Sequence, residues 1–171
     1  MNTEHKMTFK RNERLKSEKI ITQLFRKGNG QSFACYPLRL VYMEIPPPRG
    51  PLSISPVSDD FDVKINGLTP SSHSEIKKVS TPELSPIEFA LSVPKKSFKR
   101  AVDRNVLRRR IREAYRLHKI ELYKYLKNNV LYAEKRFAFM VLYTAKEEMP
   151  YSEIERGIKK MIRKFKEETG K

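Results

Sequence analysis

Arg104, Arg108, Arg112 and Arg116 recur in steps of four within DRNVLRRRIREAYRLH, the stretch from Asp103 to His118. A step of four stacks side chains along one face of a helix. A guanidinium is planar, permanently charged, and able to bond phosphate oxygens in pairs or to lie flat on a base. A column of four therefore suits a polyanion, and RNA above all. A merely solvated face would interleave Glu with Lys. Asn105 and Arg109 fall beside the column, so the six side chains span about 140° of the helix. Val102, Val106, Leu107, Ile111, Ala114 and Leu117 fill most of the opposite side, which is expected to dock on the rest of the domain. Each like-charged pair at this spacing costs about 0.2–0.5 kcal/mol in an isolated helix, a cost that an external anion relieves. Upstream, Lys95, Lys96, Lys99 and Arg100 extend the same charge.

Composition supports this reading. The chain of 171 residues has 36 Lys and Arg against 20 Asp and Glu, a net charge of +16, which favours polyanionic partners. A membrane surface is the rival polyanion, but no apolar run approaches the ~20 residues that cross a bilayer. Residues 1–14 are polar and lack the apolar core of a secretory signal. Cys35 stands alone, so no intramolecular disulfide is expected and a reducing compartment, the cytoplasm, fits best. With three His and one Cys, a structural zinc site is not expected, nor any cofactor held by the protein by itself.

A protein nuclease would need paired carboxylates with a metal, or a His general base in a pocket. His5 lies in the N-terminal tail and His118 at the end of the basic stretch, while His73 falls in a proline-rich segment. Glu113, Glu121 and Glu134 sit among basic residues and suit ion pairs. The DDFD cluster at Asp59 to Asp62 lacks partner ligands at a recognised spacing and reads as a solvated acidic turn. No catalytic or metal-ligating residue is assigned.

The elements that must position the basic helix follow from periodicity. Ser17 precedes Ile20, Ile21, Leu24 and Phe25 at helical spacing, with Gly28 as a stop, predicting a first helix. Tyr36 to Ile45 reads as a half-buried strand of ambiguous register. In Ile87 to Val93, Phe89, Leu91 and Val93 alternate against Ala90 and Ser92, a strand with one apolar and one small or polar face. Phe137 to Tyr143 is a third strand. A short fourth is expected, if anywhere, in the segment between the first two. Ser152 and Glu155 have capping-box spacing ahead of Ile154, Ile158, Met161, Ile162 and Phe165, predicting a C-terminal amphipathic helix. Between the first two strands, residues 46–86 hold eight of the eleven prolines. Their four basic and five acidic residues leave the remaining chain with +17. We read this segment as a disordered insertion in a single RNA-binding domain spanning 1–171.

Leu91 to Arg116, LSVPKKSFKRAVDRNVLRRRIREAYR, resembles the signature of the bacterial ribonuclease P protein subunit. A strand ending in Lys-Lys leads through a short basic turn into Arg-Asn, which opens an arginine-rich helix closing on Arg-Glu-Ala-aromatic at Arg112 to Tyr115. Glu13 to Gly28, ERLKSEKIITQLFRKG, is similar to the family's first helix. The likeness spans all but the insertion. Two departures stand out. Val106 replaces the third residue of the usual Arg-Asn-Arg, and Ile21 replaces the first of two aromatics four apart, leaving Phe25.

The resemblance implies an α+β sandwich of order α-β-β-β-α-β-α, a small sheet packed with three helices and a left-handed βαβ crossover. It further implies an accessory protein of a ribonucleoprotein endonuclease, in which a catalytic RNA using Mg2+ removes the 5′ leader of precursor tRNA. On this reading Lys95, Lys96, Lys99, Arg100, Arg104, Asn105, Arg108, Arg109, Arg112 and Arg116 bind RNA. The leader lies across the sheet near Ile21, Phe25, Arg39, Tyr42 and Ser92. Arg39 and Tyr42 have opposite parity in their strand, so only one of them can face the leader, and the sequence leaves the choice open. Phe25 stacks on a base or sits in the core. The implied partners are the catalytic RNA and the leader, with no membrane and no obligate protein partner. A structural RNA-binding protein of ribosomal type is the alternative that basic charge alone would fit.

Overall fold

The computed structural model describes residues 8–46, 85–129 and 135–170. The proline-rich insertion lies almost wholly outside them, and so does its expected disorder. Residues 1–47 and 84–171 belong to one compact unit.

The described residues open with a 3-10 turn, Arg11–Glu13, followed by α1, Glu18–Leu24. The Ser17 hydroxyl accepts from the Ile20 amide at 3.5 Å, so the predicted cap is in place. Beyond α1 the chain reverses through Gly28, at φ +93°, a backbone region open to glycine at little cost. A hairpin follows, β1 Gln31–Cys35 and β2 Leu38–Ile45. Among the described residues a fourth strand, β1, precedes the insertion, and Tyr36–Pro37 form the hairpin turn rather than the start of the strand. After the insertion come β3 Ile87–Ser92, α2 Ala101–Asn128, β4 Arg136–Tyr143 and α3 Tyr151–Thr169. The sheet order is β1-β2-β4-β3, with β3 and β4 parallel across α2 and the other pairs antiparallel.

Strand alternation divides the core into two layers. Leu40, Tyr42, Ile87, Phe89, Phe137, Phe139 and Val141 meet α2 and α3 on one face. Val41, Ile45, Ala138 and Met140 meet Leu15 and α1 through Leu24, Ile20 and Ile21 on the other. Phe165 of α3 lies at the centre of the larger layer, its ring 4.8–5.3 Å from those of Phe139, Tyr42 and Phe137. Such edge contacts add about 0.5–1.5 kcal/mol each beyond burial. The α3 helix begins with Pro150 in the capping position and no side-chain cap. Ser152 is already inside the helix, and Glu155 instead bonds His118 of α2 at 2.8 Å. The expected capping box is absent because the helix already starts at Tyr151, which puts Ser152 inside it.

Candidate nucleic-acid interface

α2 runs ten residues past the predicted stretch and is turned differently from the expectation. Its buried residues are Leu107, Ile111, Ala114, Tyr115, Lys119, Leu122 and Leu126. Val102 is 69% exposed and Leu117 38%, so two of the six residues expected to dock face solvent. The cause is Tyr115, whose ring lies flat on Phe89 at 4.0 Å. An aromatic stack at the sheet draws that side of the helix inward and leaves smaller aliphatics outside. Among the described residues no helix is long and apolar enough to cross a membrane.

The arginines consequently divide by role. Arg104 donates from Nη1 to the carbonyls of Phe98 at 2.8 Å and Lys99 at 2.6 Å, tying the β3–α2 turn to the helix. Arg110 bonds the Met149 carbonyl at 2.9 Å and Glu148 at 2.8 Å, fixing the approach to α3. Arg116 is paired with Glu113, and Arg108 reaches Asn105 at 3.4 Å. Lys95, Lys96, Lys99, Arg100, Arg109 and Arg112 are exposed. Although Arg112 is largely open to solvent, partial burial of its guanidinium lowers its pKa from the ordinary value, and the like charges of Arg14, Arg108 and Arg109 push the same way. The cations are thus crowded together.

They crowd over a groove of about 360 Å³ lined by Phe9, Arg14, Leu15, Lys16, Phe89, Ala90, Leu91, Arg108 and Arg112. Five of its lining residues are apolar and four are cations, two from the segment before α1 and two from α2. Phe9, Arg14, Leu15 and Lys16 were not among the site residues read from the sequence. Arg14 bridges to Phe89 in the parallel sense, and the Leu15 amide donates to the Phe89 carbonyl at 3.1 Å. The segment before α1 therefore runs along the β3 edge. Its only visible signal is the basic ERLKS stretch, and the tertiary pairing that brings it to α2 leaves no local pattern.

Of the five sheet-face residues, three come to the layer shared with α1. Arg39 pairs with Leu142 of β4, and Leu142 with Ser92 of β3, so Arg39, Leu142 and Ser92 stand in one row. Arg39 and Ser92 are exposed there, and Arg39 bonds Ser32 of β1 at 3.2 Å. Ile21 is half-buried against this layer. Phe25, which caps the C-terminus of α1, is 53% exposed, so it is not a core residue. Tyr42 does not join them. It is buried in the opposite layer, where its hydroxyl donates to Glu168 of α3 at 2.8 Å and meets the side chain of Gln31. Parity therefore puts Arg39 on the face shared with α1 and Tyr42 on the face that packs against α3.

The fold and groove define a small basic α+β protein with a cationic channel beside an open sheet row. The family model for ribonuclease P matches residues 9–166. Two curated proteins, each named ribonuclease P protein component and each from a strain of Porphyromonas gingivalis, are 28% identical over 153 residues. That alignment covers 89% of this chain and 82% of the relatives. The chain belongs to the ribonuclease P protein family.

Proposed function

We propose that this protein is the protein subunit of ribonuclease P, which matures the 5′ end of tRNA, and that it binds both the catalytic RNA and the leader of precursor tRNA. The outer surface of α2 and the Lys95–Arg100 turn offer mobile cations to the phosphates of the catalytic RNA. The groove and the Arg39–Leu142–Ser92 row take the single-stranded leader. The observation that carries this reading is a groove lined by apolar side chains together with cations from two separate segments, the stretch before α1 and α2. A single strand needs both, its bases against apolar or aromatic surface and its phosphates against charge. Phe25, exposed at the end of α1, is available to stack.

The bond cleavage itself is assigned to the RNA and its Mg2+, with the protein positioning substrate and neutralising phosphate repulsion. The cytoplasm is the expected compartment. Cleavage of precursor tRNA is to be measured with the catalytic RNA alone, the protein alone and the two together, at low magnesium. The proposal expects strong cleavage only from the combination. Cleavage by the protein alone would place the chemistry in the protein.

A further inference from the structure

We propose that the buried Glu13–Lys119 ion pair is the positioning device of the groove, holding the 8–16 segment against β3 so that Arg14 and Lys16 stand opposite Arg108 and Arg112. The inference rests on reading that groove as the leader site.

Among the ion pairs seen in the described residues, this one stands apart. Both side chains are about 95% buried, whereas the remaining pairs each have at least one side chain more than 15% exposed. Lys119 Nζ lies 2.7 Å from both Glu13 carboxylate oxygens and 2.6 Å from the Thr8 carbonyl. It also sits 5.9 Å above the Phe9 ring and 5.8 Å from the Tyr123 ring. Phe9 in turn meets Phe89 and Tyr115 edge-on at 5.8 and 6.2 Å. One lysine of α2 thus gathers both ends of the turn that precedes Arg14.

Charge explains why such an anchor is needed. Adjacent residues point opposite ways: Glu13 inward, Arg14 outward into the groove. Arg14 and Arg112 line the same groove, and after partial burial the charge of Arg14, then those of Arg108 and Arg109, lowers the Arg112 pKa. Repulsion among these cations tends to lift the segment off β3, and lifting it removes one wall of the groove. A buried pair resists this because separating it strands a charge in the interior.

The test uses the full chain with Glu13→Gln, which keeps the shape of the side chain and removes its charge. A second variant, Glu13→Gln with Lys119→Met, leaves no buried charge unpaired. Three quantities are read: amide exchange at Leu15, affinity for the catalytic RNA, and the ratio of affinities of the assembled ribonucleoprotein for tRNA with and without a leader. We expect faster exchange at Leu15 with β4 still protected, and unchanged assembly. The leader preference should fall by roughly three- to thirty-fold, the usual reach of residues acting through others. A full preference in a variant whose Leu15 amide has become labile overturns the proposal. So does a Leu15 amide that stays protected, or the failure of both variants to fold, which makes the segment ordinary core. A wild-type protein without leader preference would instead refute the function assigned to the groove, a distinguishable result.

Discussion

Arg39 of β2 and Ser92 of β3 are both register partners of Leu142 in β4, so they share one row and one face of the sheet. Two strand spacings separate them, about 10 Å, close to the reach of one or two nucleotides of an extended strand. Arg39→Ala with Ser92→Leu should lower the leader preference of the assembled ribonucleoprotein while leaving its assembly unchanged. Tyr42→Phe should leave that preference intact and lower stability by about 1 kcal/mol, because it removes the hydroxyl bonded to Glu168. Competition binding with leader-bearing and leaderless tRNA, beside thermal unfolding of each variant, checks both. A leader defect in Tyr42→Phe would show that the opposite face is the binding surface.

The arginines of α2 should separate by assay. Arg108→Ala with Arg112→Ala should weaken binding of a single-stranded oligoribonucleotide, reduce the slope of log affinity against log salt by about 1.4 for two lost phosphate contacts, and leave the melting temperature unchanged. Arg104→Ala should do the reverse in part, costing about 1–2 kcal/mol of stability through its two carbonyl bonds. Salt titrations of binding and denaturant curves on the same variants decide. Equal salt slopes in wild type and the Arg108/Arg112 variant would remove those arginines from the phosphate contacts.

Alkaline pH should destabilise the fold through its buried tyrosines. Burial pushes Tyr123 up to about 12 from an ordinary 10.0, and burial drives the Tyr115 phenol strongly upward as well. Above pH 10 the unfolded chain releases protons that the folded chain still holds, so stability is intact below that value and falls as pH rises towards 12. Tyr123→Phe should flatten the fall, at the cost of the contact with the Ser85 hydroxyl at 3.0 Å. Urea midpoints at neutral pH and at about pH 11 measure it. An unchanged alkaline slope in the variant would mean that Tyr123 ionises alike in both states.

The sequence carried three of the strands, the helices and the basic face because these are written locally, whereas the full strand order was implied by the family resemblance. Ser17 with Ile20, Ile21 and Leu24, or Phe89 and Leu91 against Ala90 and Ser92, are patterns within a few residues of one another. The errors arose where a partner elsewhere in the fold overrides the local pattern, or where an element is too short to show one. Tyr115 rotated α2 because Phe89 lies under it, exposing Val102 and Leu117. Ser152 and Glu155 do not form a cap because the helix starts one residue earlier, at Tyr151, while the Glu155 carboxylate meets His118 of α2. Gln31–Cys35 were missed because β1 is short and its alternation, Phe33 and Cys35 inward, becomes visible only against β2. The groove wall from Phe9 to Lys16 depends on a pair, Glu13 and Lys119, more than a hundred residues apart.

Photocrosslinking from a thiouridine placed within the leader of precursor tRNA, in the fully assembled ribonucleoprotein, tests the central claim most directly. Mass spectrometry of the crosslinked peptides should identify residues of the groove and its adjoining row, among Phe9–Lys16, Phe89–Ser92 and Arg108–Arg112 or at Arg39. Crosslinks confined to the outer surface of α3, with none in those segments, would contradict the account.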